Sequence, residues 1–384
     1  MAVREIGSSI PLRLIGLLVL GHVAFAGGRF TLTLQAVALQ ASPAAIGLVM
    51  GLLMVVPMFL AVRIGRWSDT LGFMKPASAG LAMGGAGALL AAWWPGIPVL
   101  CVASVLIGTG YMLAHVAVNN AIGQQSRPEE LTRAFSWLAM GFSVSGLVGP
   151  LMCGLAIDHL GYRAAFTLAA VCSLASLYAL ASMRQGQAVR PRVPAGEARR
   201  SVVDLLRHPP LRAVFVVSGL LSMGWDLFSF LVPLHGARSG LSATAIGLLM
   251  GAFGVGTFVI RIFLPYLSAG PGQWRTLRWA LFVTAVGYLL FPMADSFAAM
   301  LPASFALGLA LGCGQPMAMN LLHVTAPAGR AGEAVGVRST LTSASQTFLP
   351  LVFGALGAAL GVGVMFWIGA VVLAGGGVYA GRHR

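Results

Sequence analysis

Three ionisable residues stand inside long apolar runs, and they are the side chains best placed to do chemistry. His22 and Arg29 are seven apart, so on a helix they share a face, and Asp226 is the acid that falls in the interior of an apolar run. Taking a charge out of water is costly, which makes each a functional-site candidate. A guanidinium can engage an anionic or polar group. A carboxylate can carry a proton or hold a cationic group, and its charge state depends on what faces it. The competing reading is a permanent pair of Arg29 and Asp226 that only orders helix packing, with His22 merely bonding a carbonyl. Other polar residues in apolar runs are His115, Asn119 and Asn120, and Gln315, Asn320 and His323. Gln315 and Asn320 are candidates to line a cavity; the alternative is interhelical hydrogen bonding. Trp225, Phe228 and Phe230 beside Asp226 could stack on an amphiphilic ligand, although buried aromatics more often pack.

Metal and enzyme chemistry fit less well. Met50, Met54 and Met58 recur at every fourth position, and Met319 with His323 repeats the spacing, a soft donor set that would suit copper(I). In a chain with 17 methionines, apolar filling is the simpler account, so no metal site is expected. Cys101, Cys153, Cys172 and Cys313 lie in apolar runs without paired spacing, which argues against disulfides or zinc. No nucleophile and base pair, phosphate-binding glycine loop or metal triad is present, so neither an enzyme nor a cofactor is expected.

The elements that must position these residues are membrane spans. The chain is 58% hydrophobic and 9% charged, with mean hydropathy +0.87, whereas a soluble domain carries about a quarter charged residues. At about 20 residues per span, twelve helices are predicted, near 11–37, 43–64, 76–94, 97–121, 134–156, 164–183, 213–234, 243–266, 276–294, 297–322, 334–358 and 362–381. The apolar run from Ile10 is too long for a signal peptide and is expected to be the first span. The net charge of +14 is not laid out as a nucleic-acid stripe but gathered at span ends. Twenty-one of the 24 lysines and arginines fall on one side, only Arg163 and Arg238 on the other, and Arg29 within a span. That asymmetry predicts both termini in the cytoplasm. Arg261 and Arg338, a turn or two inside their spans, are expected to snorkel to the interface. Twenty-three arginines against one lysine point to a GC-rich bacterial gene and hence to the inner membrane.

The arginine- and proline-rich stretch 184–212 divides the chain into six spans and six, giving predicted bundles at 1–183 and 213–384 joined by a basic cytoplasmic linker. Sliding the chain by 200 residues without gaps aligns the halves. Ala45-Ile46-Gly47-Leu48 meets Ala245-Ile246-Gly247-Leu248, Asn120 meets Asn320, and Pro150 and Gly154 meet Pro350 and Gly354. The expected fold is therefore an all-α membrane protein of two six-helix bundles related by a pseudo-twofold axis, with residues of spans one and seven facing across it. Asp226 maps onto Ala26, between His22 and Arg29.

Two six-span halves joined by a basic loop resemble the major facilitator superfamily. The stretch Gly65 to Lys75 carries the most specific likeness. Gly65, Asp69 and Gly72 fit that family's pattern between spans two and three, Thr70, Phe73 and Met74 depart from it, and Lys75 keeps a base. The resemblance implies a gate element in which the acid sits near a helix terminus of the other half and holds the cytoplasmic side shut. Its counterpart in the second half has Ala269 in place of the acid. Gly149-Pro150-Leu151-Met152-Cys153-Gly154 looks like the span-five signature of the superfamily's drug and metabolite antiporters, with Cys153 for one glycine. The arginine that proton-driven drug antiporters carry in span four is Ser104 here. Together these imply secondary active transport of a small organic solute by alternating access, proton-coupled and directed outward, in a monomer whose partners are the bilayer, the substrate and protons. The alternatives are an importer of copper or another nutrient, and a transport-inactive membrane sensor or scaffold.

Overall fold

The computed structural model describes residues 10–126, 128–183, 202–269, 272–327 and 330–382, and among them there are helices and no strand. The first six helices are α1 (Ile10–Ala38), α2 (Pro43–Leu71), α3 (Met74–Trp93), α4 (Ile97–Gln125), α5 (Pro128–Leu160) and α6 (Tyr162–Ala181). A short α7 (Val202–Arg207) precedes α8 (Pro209–Arg238), α9 (Ala243–Ala269), α10 (Gln273–Leu290), α11 (Phe297–Gly312), α12 (Gly314–Thr325), α13 (Ala331–Leu360) and α14 (Val362–Ala380). Among the described residues, eleven segments are long and apolar enough to cross a bilayer, α11 and α12 together making one. The remaining expected span is α3, whose 20 residues are diluted by glycine and alanine and opened by Lys75 and Pro76.

Two boundaries differ from the sequence reading. The span expected at 297–322 is broken at Cys313. Pro316 lacks the N–H that would bond the carbonyl of Gly312, so one helix ends and another begins. The described end of the expected linker is helical, with Leu205 of α7 buried, and α8 starts at Pro209 with prolines in its first turn, where a missing N–H costs nothing.

The 200-residue repeat is written into the turns. Left-handed backbone occurs in pairs at that offset: Gln40 and Gly240 (φ 56° and 77°), Gly72 and Gly272 (75° and 78°), and Gly161 and Gly361 (83° and 90°). Five of these six are glycine, which enters that region without a Cβ clash. The caps repeat too, Ser42 Oγ accepting from the Ala45 N–H at 3.3 Å and Ser242 Oγ from the Ala245 N–H at 3.2 Å. Inside the halves, a Cβ on Gly108 would collide with the Leu53 carbonyl and one on Gly308 with that of Phe253. Both α2 against α4 and α9 against α11 thus close to backbone contact. In a membrane, where lipid competes for apolar side chains, such small-residue approach is what holds helices together.

The halves meet along two seams, α5 on α9 and α13 on α2. Gly247 rests on the Pro150 backbone and Gly47 on that of Pro350, while Gly154 faces Ala243 and Gly354 faces Pro43. Because successive spans alternate in direction, these approaches lie toward the face opposite the chain termini. That face is closed by backbone against backbone.

Candidate functional site

The site is built on α1 and α8. They are the most enclosed spans, with 67% of their apolar windows buried against 33–50% for the others. Between them and the α5·α9 seam lies a cavity of about 670 Å³, counting the space continuous with its mouth. His22, Ala26 and Arg29 reach it from a single face of α1, as the seven-residue spacing requires. Ser143, Ser229 and Thr257 supply hydroxyls, and Phe142, Trp225 and Phe253 supply aromatic walls.

Arg29 is largely enclosed, its Nε is buried without a partner, and no hydrogen bond among the described residues uses its guanidinium. Asp226 stands behind the cavity wall, only 2% exposed, with both carboxylate oxygens buried and unpartnered. The two make no ion pair within 4.0 Å, yet lie close enough to interact electrostatically. Gln346 of α13 stands beside the carboxylate without meeting hydrogen-bond geometry. Tyr288 of α10 is also near it, but its hydroxyl donates to the Gly224 carbonyl. Natural folds rarely leave a buried polar group unbonded, so an unpartnered carboxylate near an unpartnered guanidinium Nε is a candidate functional site.

On the other side of Arg29, the first half carries a polar and aromatic cluster. His22 Nδ1 lies 2.5 Å from Ser145 Oγ, and that hydroxyl donates to the Phe142 carbonyl at 3.0 Å. Since the serine proton is already used, Nδ1–H is the donor to Oγ, and Nε2 is left as an acceptor. Tyr111 bonds His115 Nδ1 at 3.0 Å and stacks on Phe25, with ring centroids 4.2 Å apart. At the 200-residue offset Ser345 repeats Ser145, but the ionisable part of the cluster is not repeated: Ser222 stands for His22, Leu311 for Tyr111 and Gln315 for His115.

The other sequence candidates are dispersed. Gln315 and Asn320, on α12, are exposed and outside the walls of this cavity. Gly72 ends α2 in left-handed geometry and Lys75 is exposed in the first turn of α3, whereas the side-chain surroundings of Gly65 and Asp69, in the last turns of α2, lie outside the described residues. The span-five signature serves two contacts: Gly149 brings α5 onto Val23 and Gly27 of α1, while Pro150 and Gly154 bring it onto α9. Met50 and Met54 are buried, Met50 accepting from the Thr33 hydroxyl at 3.1 Å; Met58 is half-buried. Met319 takes the Arg338 guanidinium at 3.7 Å, and the His323 side chain lies outside the described residues.

Arg261 corrects an expectation. It does not snorkel; its Nη1 donates across the seam to the Ala139 carbonyl at 2.5 Å and to Ser143 Oγ at 2.6 Å. Arg338 likewise points at its own half rather than at the interface. Asp158, read from the sequence only as part of a turn, accepts from the Ala243 and Thr244 N–H groups at 3.0 and 2.8 Å and so caps α9 of the other half. Neither role has a local sequence signal, because every partner is on a distant helix.

The sequence model of the Major Facilitator Superfamily matches residues 17–297 and 214–382. The chain belongs to that superfamily. Among its curated relatives, an uncharacterised MFS-type transporter of Sinorhizobium fredii, y4rN, is 25% identical over 215 residues, which are 54% of this chain and 53% of that one. The chain thus spans about half the length of that relative. Another, YuxJ of Bacillus subtilis, is 22% identical over 86% of each chain. Among solved structures, the nucleoside transporter NupG superposes with TM-score 0.80 at 14% identity, covering 97% of this chain and all of that one. A peptide transporter, POT, solved with sulfate, gives 0.78 at 16% identity, covering 97% and 93%. At these identities the likeness is one of fold: an all-helical superfamily architecture of two pseudo-symmetric six-helix bundles, embedded as a multi-pass membrane protein.

Proposed function

We propose that this superfamily member is a secondary active transporter that moves a small organic solute by alternating access, coupled to protons through Asp226. The reading is carried by one observation: Arg29, half-buried in the wall of a cavity between the halves, and Asp226, fully buried behind that wall, face each other with neither side chain hydrogen-bonded. The two carry opposite charges without neutralising each other directly, so a ligand or a proton arriving at either alters the electrostatics of the other. Residues 1–183 and 213–384 act as the two moving bundles. The termini and the linker face the cytoplasm of a bacterial inner membrane, on the basic side of the chain, and the unit is a monomer. Gly65, Asp69, Gly72 and Lys75 form the gate element on that side.

The span-five signature supports a second reading, export, because its sequence resembles that of antiporters. In proteoliposomes with an imposed pH gradient and a solute found by ligand stabilisation, Asp226→Asn is expected to abolish gradient-driven accumulation in either direction while counterflow persists. Accumulation at the wild-type level would remove Asp226 from coupling, and its direction in the wild type decides between import and export.

A further inference from the structure

We propose that the cargo is a small organic anion with a flat apolar body, an aromatic carboxylate being the simplest case. This inference rests on the transport reading and adds to it the substrate class. The charge at the cavity surface is one-sided. Arg29 lines it with no hydrogen bond spent, whereas Asp226, among the described residues the only carboxylate near it, is withdrawn behind the wall. A ligand entering the cavity therefore meets a guanidinium fork first, whose planar geometry suits a carboxylate held by two parallel hydrogen bonds.

The rest of the lining suits what a carboxylate is attached to. Phe142 of α5, Trp225 of α8 and Phe253 of α9 line the cavity with aromatic rings, and Phe253 is itself braced by stacking on Phe228, with centroids 4.0 Å apart. Aromatic walls and a few placed polar groups are what a preformed small-molecule site requires. Ser229 and Thr257 are within reach for a ring substituent, but Ser229 already donates to the Trp225 carbonyl at 3.0 Å and Thr257 to the Gly254 carbonyl at 2.7 Å. They are therefore left as acceptors, able to take a proton from a ring hydroxyl or amine but not to hold a second anionic group. A cationic cargo finds no exposed acid in the cavity.

The inference also fixes the sense of coupling. The groups facing Asp226 are Arg29 from α1, Gln346 from α13 and Tyr288 from α10, and of these only Arg29 is charged. Once a bound anion engages that guanidinium, two negative charges share one positive charge, and a proton joining Asp226 restores neutrality. Anion and proton then travel together, so an inward proton gradient drives uptake, the opposite of the export that the span-five signature suggests.

The test uses the full-length protein in detergent, with benzoate, benzylammonium and benzyl alcohol as probes of one shape and three charges. Saturable binding is read by thermal stabilisation and by calorimetry. Benzoate is expected to bind, benzylammonium not, and benzyl alcohol roughly ten- to a hundredfold more weakly than benzoate, the worth of a charge-assisted contact. Arg29→Gln should remove benzoate binding. Because that variant strands Asp226, Arg29→Gln with Asp226→Asn keeps the site neutral, and it should fail to bind benzoate while unfolding cooperatively. In weakly buffered solution, benzoate binding to the wild type should take up about one proton per site. Absence of saturable benzoate binding, preference for benzylammonium, or undiminished benzoate binding by the double variant would each overturn the anion assignment. All three leave alternating access standing, since that fails separately in the labelling experiment that closes the Discussion.

Discussion

The two seams between the halves are built to one plan and fastened differently. In both, a glycine of the incoming helix lies on the backbone at a proline, Gly47 on Pro350 and Gly247 on Pro150. On α5·α9 the fit is then tied by polar groups: Asp158 capping α9, Thr257 near Ser143 at 3.4 Å, and Arg261 on Ala139 and Ser143. On α2·α13 no hydrogen bond crosses between 43–60 and 336–360, all of them described residues. The residues at the 200 offset explain why: Ala358 stands for Asp158, Pro57 for Thr257 and Ala61 for Arg261. Shape was kept in both copies, whereas polar fastening is found in one. The cavity with Arg29 lies beside the fastened seam, so on the transport reading proposed above the α5·α9 side is the one whose release exposes the site.

That contrast can be broken from its strongest feature downward. A methyl at Gly47 or Gly247 would land on backbone atoms that cannot turn aside, so Gly47→Ala and Gly247→Ala should each weaken the closed face by about 3 kcal/mol, the upper end for overpacking. The larger effect is expected at Gly47, whose Cβ would stand closer to the Pro350 carbonyl oxygen than that of Gly247 to the Pro150 carbonyl oxygen; the reverse order of unfolding temperatures would mean that packing at the prolines does not set the strength of the seams. Arg261→Gln should cost less, about 1.5 kcal/mol for a charge-assisted contact that is half-buried. Asp158→Ala, at an exposed cap, should cost about 1 kcal/mol or less. Asp158→Ala is read as increased reagent access from the face opposite the termini, and Arg261→Gln, toward the other end of the same seam, as increased access from the terminal face. The sharper form of the comparison is that Ala358→Asp should add a small stabilisation to the bare seam through the Ala44 N–H alone, since Pro43 has no N–H and that of Ala45 is taken by Ser42 Oγ.

Much of the fold was legible because its determinants are local. Spans show as apolar runs, and the repeat shows because turns need glycine at Gly72, Gly161, Gly272 and Gly361 and seams need small residues at fixed spacing. The break at Cys313 was also written locally, in Pro316, and was passed over because the run stays apolar through it. The site was legible in part. Arg29 and His22 share a face by arithmetic alone, and Asp226 stood out as an acid among apolar residues. What periodicity could not supply was depth: Asp226 shares the register of Ala26, which lines the cavity, yet lies behind its wall. Nor could it supply partners: Arg261 bonds a backbone carbonyl 122 positions away, and a carbonyl has no residue type to recognise.

The central claim is that the Arg29 cavity is reached alternately from two faces by parting and closing the α5·α9 seam. It is tested most directly in a chain freed of its four cysteines, carrying Ala26→Cys in the cavity wall and the pair Asp158→Cys and Thr244→Cys across the seam. A membrane-impermeant maleimide should label position 26 from either face of reconstituted vesicles while the pair is reduced. After the pair is cross-linked, labelling from the face opposite the termini should vanish and labelling from the terminal face should persist. Undiminished labelling from the opposite face after cross-linking, or no labelling from that face before it, would contradict the account.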